Sequence, residues 1–346
     1  MSKKDLSVLK IKKFNLNNNT SLIYSNFKSY IEKYIKKKNF LVAVSGGPDS
    51  LALTALSKIY LSKKQSKIFF VLIDHGIRSN SSKEAKAVQS LLRKKKIKLT
   101  ILKNKEKINK NIQSHSREIR YKLLLNFCKK NKIRFILTGH HREDQIETFL
   151  IRLSRGSGVQ GLSSMKKISS LNSRVKLVRP LLDEQKKYLM ILAKQYFGKI
   201  FNDPSNTNEK YLRTKIRNLI KEFEKSGIKH ERIISSINNL GATRDTLNTY
   251  IISVEKNCVI KNKKDTIINL KKLSLENDEI QLKVLSNCIK HVSKNYYPTR
   301  AKKIINLLNK VKFDEKLKVT LGGCIVHKTQ DNLIVYKEDS KKKLKN

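Results

Sequence analysis

The chain has 346 residues, 39% of them hydrophobic, and carries 76 Lys and Arg against 28 Asp and Glu, a formal charge of +48. That length suits two domains with real cores, and no apolar run nears the roughly 20 residues of a membrane-spanning helix, which excludes a membrane protein of that kind. The excess of cations points to a polyanionic partner, nucleic acid first, although a bias toward Lys, Ile and Asn supplies part of the charge as background.

The N-terminal residues lead into no apolar signal region, so a cytoplasmic protein is expected. After basic residues at 33–38, the run Phe40-Leu41-Val42-Ala43-Val44 predicts a buried strand over 40–45. The turn Ser45-Gly46-Gly47-Pro48-Asp49-Ser50 follows, and a helix is predicted over 49–62. A turn of this kind aims backbone N–H groups and the positive end of a helix dipole at one point, which suits an anion. Gly46 and Gly47 permit close approach, and Ser45 and Ser50 add hydroxyl donors. Asp49 would repel phosphates unless a metal lay between, and Mg²⁺ binds through few carboxylates plus phosphate oxygens. Helix capping alone asks for one such residue and not the set. No Gly-Lys-Ser/Thr follows, which excludes a Walker A loop.

A second strand over 68–74 ends in Asp74-His75-Gly76-Ile77-Arg78, placing Asp74 and His75 where a loop would turn over a nucleotide and Arg78 where it could reach phosphate or a substrate carboxylate, the plainer alternative being an ordinary strand-end turn. A helix over 82–96, a strand over 98–102 and a helix over 114–131 come next, the last carrying Arg117 and Arg120 on one face. The fourth strand, 134–138, ends in Thr138-Gly139-His140-His141 ahead of a helix over 142–155. On that helix Ile146, Phe149, Leu150 and Leu153 form one stripe, and Asp144 and Glu147 lie together on the opposite side near the N-terminus. Two carboxylates there suit Mg²⁺ or activation of a nucleophilic amine, the plainer alternative being that early acids complement the dipole. His140 and His141 have no third metal ligand nearby and read as hydrogen-bonding residues. The alternation of strand and helix argues for a parallel sheet with helices on both faces and ligands at the carboxyl ends of its strands.

From 156 to 170 the chain is rich in Gly and Ser and reads as a loop. Gly156-Ser157-Gly158-Val159-Gln160-Gly161 satisfies G-x-G-x-x-G but follows a helix, so the dinucleotide-binding context fails. A short apolar piece at 175–182, a helix near 184–196, a polar stretch at 202–208 and a basic helix near 209–225 with Arg213 complete the first half. Ser226-Gly227 marks the expected boundary between domains over 1–225 and 226–340, with a basic tail over 341–346. The second half reads as helices at 231–257, 273–291 and 299–312, a strand near 266–270, and closing strands at 317–326 and 331–336. Cys128, Cys258, Cys288 and Cys324 show no C-x-x-C spacing, which argues against zinc.

The Ser-Gly-Gly-x-Asp-Ser turn resembles the pyrophosphate-binding loop of the N-type ATP pyrophosphatases, the PP-loop superfamily. With Asp74-His75-Gly76-Ile77-Arg78, Arg117-Glu118-Ile119-Arg120-Tyr121, Gly139-His140-His141, Asp144-Gln145-Ile146-Glu147-Thr148, Arg155-Gly156-Ser157-Gly158, Arg179-Pro180-Leu181-Leu182 and Asp203-Pro204-Ser205-Asn206, the chain resembles the bacterial tRNA(Ile)-lysidine synthases over roughly 40–220. The resemblance implies an α/β fold: a Rossmann-like parallel-sheet PP-loop domain, then a smaller, mostly helical tRNA-binding domain with a terminal β-hairpin. It implies that ATP adenylates C2–O of the wobble cytidine in CAU-anticodon tRNA(Ile), and that the ε-amine of free L-lysine displaces AMP. On this resemblance Ser45, Gly46, Gly47, Pro48, Asp49, Ser50, Asp74 and His75 bind ATP, with Asp49 holding Mg²⁺ through pyrophosphate. Asp144 and Glu147 bind the lysine ammonium or accept its proton, and Arg117 and Arg213 stabilise phosphate or orient RNA. A homodimer is compatible with the sequence, which does not fix the oligomeric state.

Departures are Asn202, Asn208, Thr214 and Ser116, where the family has Asp or Glu, Asp, Asn and Ala. The chain stops after the first C-terminal domain, so a further domain of longer members is expected to be missing. The rival readings are a tRNA thiolase of the same superfamily, which needs catalytic cysteines, and a non-catalytic RNA-binding protein, which has no use for Asp49, Asp144 and Glu147.

Overall fold

The computed structural model describes residues 18–61, 67–77, 80–106, 112–201, 212–294, 299–314 and 316–338. Arg78, the polar stretch at 202–208 and the tail at 341–346 lie outside them. The chain divides into two compact units, Met1–Leu240 and Gly241–Asn346.

The first unit opens with α1 (Asn18–Tyr34), β1 (Phe40–Val44), α2 (Pro48–Leu61), β2 (Ile68–Asp74), α3 (Ser81–Lys94), β3 (Leu99–Lys103), α4 (Ile112–Lys130) and β4 (Phe135–Leu137). It continues with α5 (Arg142–Leu153), the one-turn α6 (Val159–Leu162), β5 (Ile168–Ser170), β6 (Lys176–Val178), α7 (Lys186–Phe197), α8 (Leu212–Lys225) and the start of α9 (His230–Cys258). Its sheet has the order β3-β2-β1-β4-β6-β5, parallel except for the antiparallel edge strand β5. Side chains of β1 alternate as a strand's must: Phe40, Val42 and Val44 enter the core shared with α1, α2, α3 and α7, while Leu41 enters the core shared with α4. The crossovers through α2 and α3 therefore cover one face and the crossover through α4 the other. The winding reverses between β1 and β4, and the carboxyl ends of adjacent strands at such a reversal leave a crevice.

Three differences from the sequence reading have local causes. α1 is a helix whose buried Ile23, Phe27 and Ile31 recur every four residues inside a polar segment. The expected loop over 156–170 contains α6 and the short strand β5, which pairs Ile168 with Val178. The expected strand over 317–326 is a hairpin that turns at Gly322-Gly323, both at positive φ.

The second unit contains the rest of α9, then β7 (Val259–Lys261), β8 (Asp265–Asn269), α10 (Leu270–Leu273), α11 (Asp278–Ser293), α12 (Ala301–Phe313), β9 (Leu317–Leu321), β10 (Cys324–Lys328) and β11 (Asn332–Lys337). The strands form an antiparallel sheet ordered β7-β8-β11-β10-β9, so the expected terminal hairpin is part of a larger sheet. Its core joins Val284, Leu285 and Cys288 of α11 and Leu307 and Leu308 of α12 to Val326, Leu333 and Val335.

Candidate active site

Two loops meet at the crevice, one after β1 and one after β4. The first is braced from within. The Ser45 amide donates to Ser50 Oγ at 3.1 Å, the two hydroxyls are 3.1 Å apart, and Ser50 Oγ donates to the Gly47 carbonyl at 2.9 Å. Gly46 has φ +87°, and a Cβ there would lie 2.6 Å from Val88 Cγ2, so the position needs glycine twice over. A Cβ on Gly47 would meet only Ser45 Oγ, at 3.7 Å. Pro48 is the first residue of α2, where its missing N–H costs no helical hydrogen bond. Residues 50–57 of α2 are all buried, so its N-terminal dipole acts in low dielectric.

Gly139 joins the two loops. A Cβ on it would sit 2.7 Å from the Asp49 carbonyl oxygen, 2.8 Å from its carbon and 3.1 Å from the Ser50 nitrogen. Backbone thus packs directly on backbone. Two residues on, His141 is 3% exposed and faces three carboxylates. Its Nδ1 lies 3.0 Å from Glu143 Oε2, and its Nε2 lies 3.5 Å from both Asp49 Oδ2 and Asp144 Oδ2. The His141 amide also donates to Asp144 Oδ2 at 3.1 Å. Burial alone would lower the His141 pKa, but the bonds to Asp49 and Glu143 and the Asp144 charge overcome it and push it up to about 10. Burial also opposes the Asp144 charge, yet His141 and Arg213 hold its carboxyl below the ordinary range. Asp49 Oδ1 is buried and has no hydrogen-bond partner among the described residues.

His140 differs from its neighbour. Its Nδ1 pairs with Thr138 Oγ1 at 2.8 Å. Burial drives its pKa down to about 3 against the Asp144 charge, and Arg179, Arg117 and Arg213 add to the fall. It is a neutral ring at physiological pH.

Glu147, 3% exposed, is already engaged. It accepts from Arg217 Nε at 2.6 Å and Nη2 at 3.4 Å, and Arg213 Nε stands 3.8 Å away. Arg217, absent from the residues expected from sequence, lies four positions after Arg213, a spacing that sets both on one face of α8. Behind these acids, Ile146 and Leu150 of α5 pack on Ile216 and Ile220 of α8 and on Ile233 and Ile237 of α9. Arg117 lies over the Tyr121 ring at 5.3 Å.

At the end of β2, Asp74 is committed to its own turn, accepting from Ser82 Oγ at 2.6 Å and from the Gly76 amide at 3.1 Å. Both ring nitrogens of His75 are buried without a hydrogen-bond partner among the described residues. Burial and the Arg120 charge push its pKa down to about 4 despite Asp74.

A glycine loop between a parallel strand and a buried helix, at a winding reversal and facing acids at the start of α5, has the arrangement of a PP-loop domain, and residues 19–223 match the family model described as a PP-loop domain. The chain is 36% identical over 305 residues to the tRNA(Ile)-lysidine synthase of Wolbachia pipientis wMel, covering 87% of this chain and 70% of that protein. It is 35% identical over 306 residues to that of Orientia tsutsugamushi, covering 86% and 69%. This chain belongs to the tRNA(Ile)-lysidine synthase family. Among solved structures, the U34-tRNA thiolase NcsA from Methanococcus maripaludis with its 4Fe-4S cluster shares the fold, at TM-score 0.52 and 19% identity over 64% of this chain and 80% of that one. No described helix is long and apolar enough to cross a membrane.

Proposed function

We propose that this chain uses ATP to adenylate the C2 oxygen of the wobble cytidine in CAU-anticodon tRNA(Ile), and that the ε-amine of free L-lysine then displaces AMP to give lysidine. One observation carries the reading: the glycine loop and the acidic first turn of α5 share one sheet edge, with Asp49 and Asp144 each 3.5 Å from the same imidazole. The cytidine C2 carbonyl is a poor electrophile, and an adenylate gives it a leaving group. Backbone donors of 45–50 and the α2 dipole face the departing pyrophosphate.

Mg²⁺ fits this loop, because Asp49 keeps a buried carboxylate oxygen without a hydrogen-bond partner among the described residues. Asp49 would hold it together with phosphate oxygens, and when bound it neutralises developing charge on the diphosphate. Asp144, held as an anion, binds the lysine ammonium or accepts the proton that the ε-nitrogen must lose before it attacks C2. Glu147, clamped by Arg217 and close to Arg213, sets the negative wall of the amine site and keeps the arginines in place for RNA or phosphate. Arg117 adds positive charge on the α4 side. His75 supplies ring nitrogens at the end of β2, where a nucleotide's base or ribose would lie, on a turn shaped by Asp74. The basic surface of the chain holds the tRNA.

A thiolase is disfavoured by its need for cysteine ligands. Before residue 241 the sequence has one cysteine, Cys128, which is buried and whose thiol is pushed up to about 12 by burial. The deciding experiment incubates the protein with unmodified tRNA(Ile) transcript, ATP, Mg²⁺ and isotopically labelled lysine. Nucleoside mass spectrometry should find one labelled lysidine per tRNA. Pyrophosphate release without a lysine adduct would overturn the proposal.

A further inference from the structure

We infer that His141 is a positioning residue shared by the two ends of the reaction, fixing the carboxylate that faces the diphosphate relative to the one that faces the amine. The inference rests on the function proposed above and adds a residue and a geometry to it. Asp49 comes from the first turn of α2 and Asp144 from the first turn of α5, 95 positions apart in the sequence. Their Oδ2 atoms converge on one nitrogen, each 3.5 Å from His141 Nε2.

The ring cannot swing away. Its Nδ1 is 3.0 Å from Glu143 Oε2, and Glu143 accepts the backbone N–H of Lys186 with both oxygens at 3.1 Å. That amide belongs to the first residue of α7, a helix whose Leu189, Leu192 and Ala193 are in the same core as Leu51, Leu53 and Leu56 of α2. The run from Lys186 through Glu143 to His141 therefore begins and ends on elements packed around one core, and it aims Nε2 at the Asp49–Asp144 pair. A carboxylate on one ring nitrogen that orients the other toward the working groups is a recurrent way of fixing an imidazole. Without the ring, two carboxylates would face each other across a buried gap, and their repulsion would drive them apart. Misplacement of reacting groups by about 1 Å costs on the order of 100-fold in rate.

Side-chain isosteres separate this role from simple packing. The amide nitrogen of Gln occupies the place of Nε2, and that of Asn the place of Nδ1. His141→Gln keeps a donor for Asp49 and Asp144 and loses the Glu143 contact, while His141→Asn does the reverse. Two readouts are taken: the affinity for magnesium pyrophosphate by calorimetry, and the lysine KM against kcat in lysidine formation. For His141→Asn, magnesium pyrophosphate should bind at least tenfold more weakly and the lysine KM should rise at least tenfold. For His141→Gln, both losses should be about threefold. Equal losses in the two variants, or a deeper loss in Gln, overturn the inference and leave His141 a packing residue. If the Asn variant does not fold, Gln decides alone: a loss near threefold supports the inference, and a loss as deep as that of Asp49→Asn overturns it. Lysidine formation by the unsubstituted protein is measured in parallel, so failure of the reaction itself is read separately, and calorimetry still decides the role of His141.

Discussion

Replacing Gly139 by Ala tests how the two loops are set against each other. The substituted Cβ would lie 2.7 Å from the Asp49 carbonyl oxygen, about 0.7 Å inside ordinary contact, with the Asp49 carbon at 2.8 Å and the Ser50 nitrogen at 3.1 Å. Gly139 is not among the glycines at positive φ, so the backbone accepts Ala and the effect is purely steric. The obstacle is backbone at the start of α2, a helix buried along most of its length, and it has no side-chain rotamer with which to yield. The loop after β4 must move instead, carrying His141 and Asp144 away from Asp49. Overpacking of this kind costs about 1–3 kcal/mol, and a melting point lower by several degrees is expected. A shift approaching 1 Å between reacting groups should lower pyrophosphate release by a few tens of fold, up to about 100-fold. Thermal melts and a continuous pyrophosphate assay on unmodified tRNA(Ile) transcript read the two effects. Wild-type turnover with unchanged melting would refute the claim that Gly139 sets the spacing of Asp49 and Asp144.

Further predictions concern neighbouring positions. Gly47→Ala meets only Ser45 Oγ at 3.7 Å, so it should melt normally yet bind magnesium pyrophosphate more weakly, because the new methyl enters the space meant for an anion; a large drop in melting point would contradict this. Arg217→Met strips Glu147 of its 2.6 Å partner and leaves a buried carboxylate with Arg213, 3.8 Å away, as its remaining ion-pair partner among the described residues. A loss of about 3 kcal/mol in denaturant unfolding is expected, and Arg217→Met with Glu147→Met should lose less than the single change. His75 stays neutral to about pH 4 because burial and the Arg120 charge outweigh Asp74, while the unfolded chain protonates it near 6.5. The unfolded state therefore binds more protons between about pH 6.5 and 4, and stability falls as pH drops through that window. His75→Phe should flatten this acid limb in melts run from pH 7 to 4, and an unchanged slope would count against a neutral buried ring.

Much of this arrangement is written in local sequence. β1, β2 and β4 are short apolar runs, and the turns at Ser45–Ser50 and Gly139–His141 follow them immediately, so strand, turn and helix can be read in one pass. The four-residue recurrence of Ile146 and Leu150 likewise reveals which side of α5 is apolar, but not that Glu147 is buried against Arg217 of the helix that shares that apolar cluster. What escapes such a reading is set by contacts between distant segments. β5 and β6 are three residues each, too short to show alternation, and gain their identity by pairing. Arg217 matters because α8 packs on α5, bringing it to Glu147 seventy residues away. The demand for glycine at 139 comes from Asp49, and the importance of His141 over the adjacent His140 comes from which of two rings faces the acids.

The 29-residue helix α9 starts at His230, beyond the Ser226-Gly227 turn where sequence alone would end the first domain. Its opening turns supply Ile233 and Ile237 to the apolar backing of α5. A fragment trimmed at residue 225 would keep Ile216 and Ile220 of α8 in the cluster with Ile146 and Leu150 but forfeit Ile233 and Ile237, thinning the backing of the helix that carries Asp144 and Glu147. The first compact unit accordingly runs to Leu240 and includes those opening turns of α9.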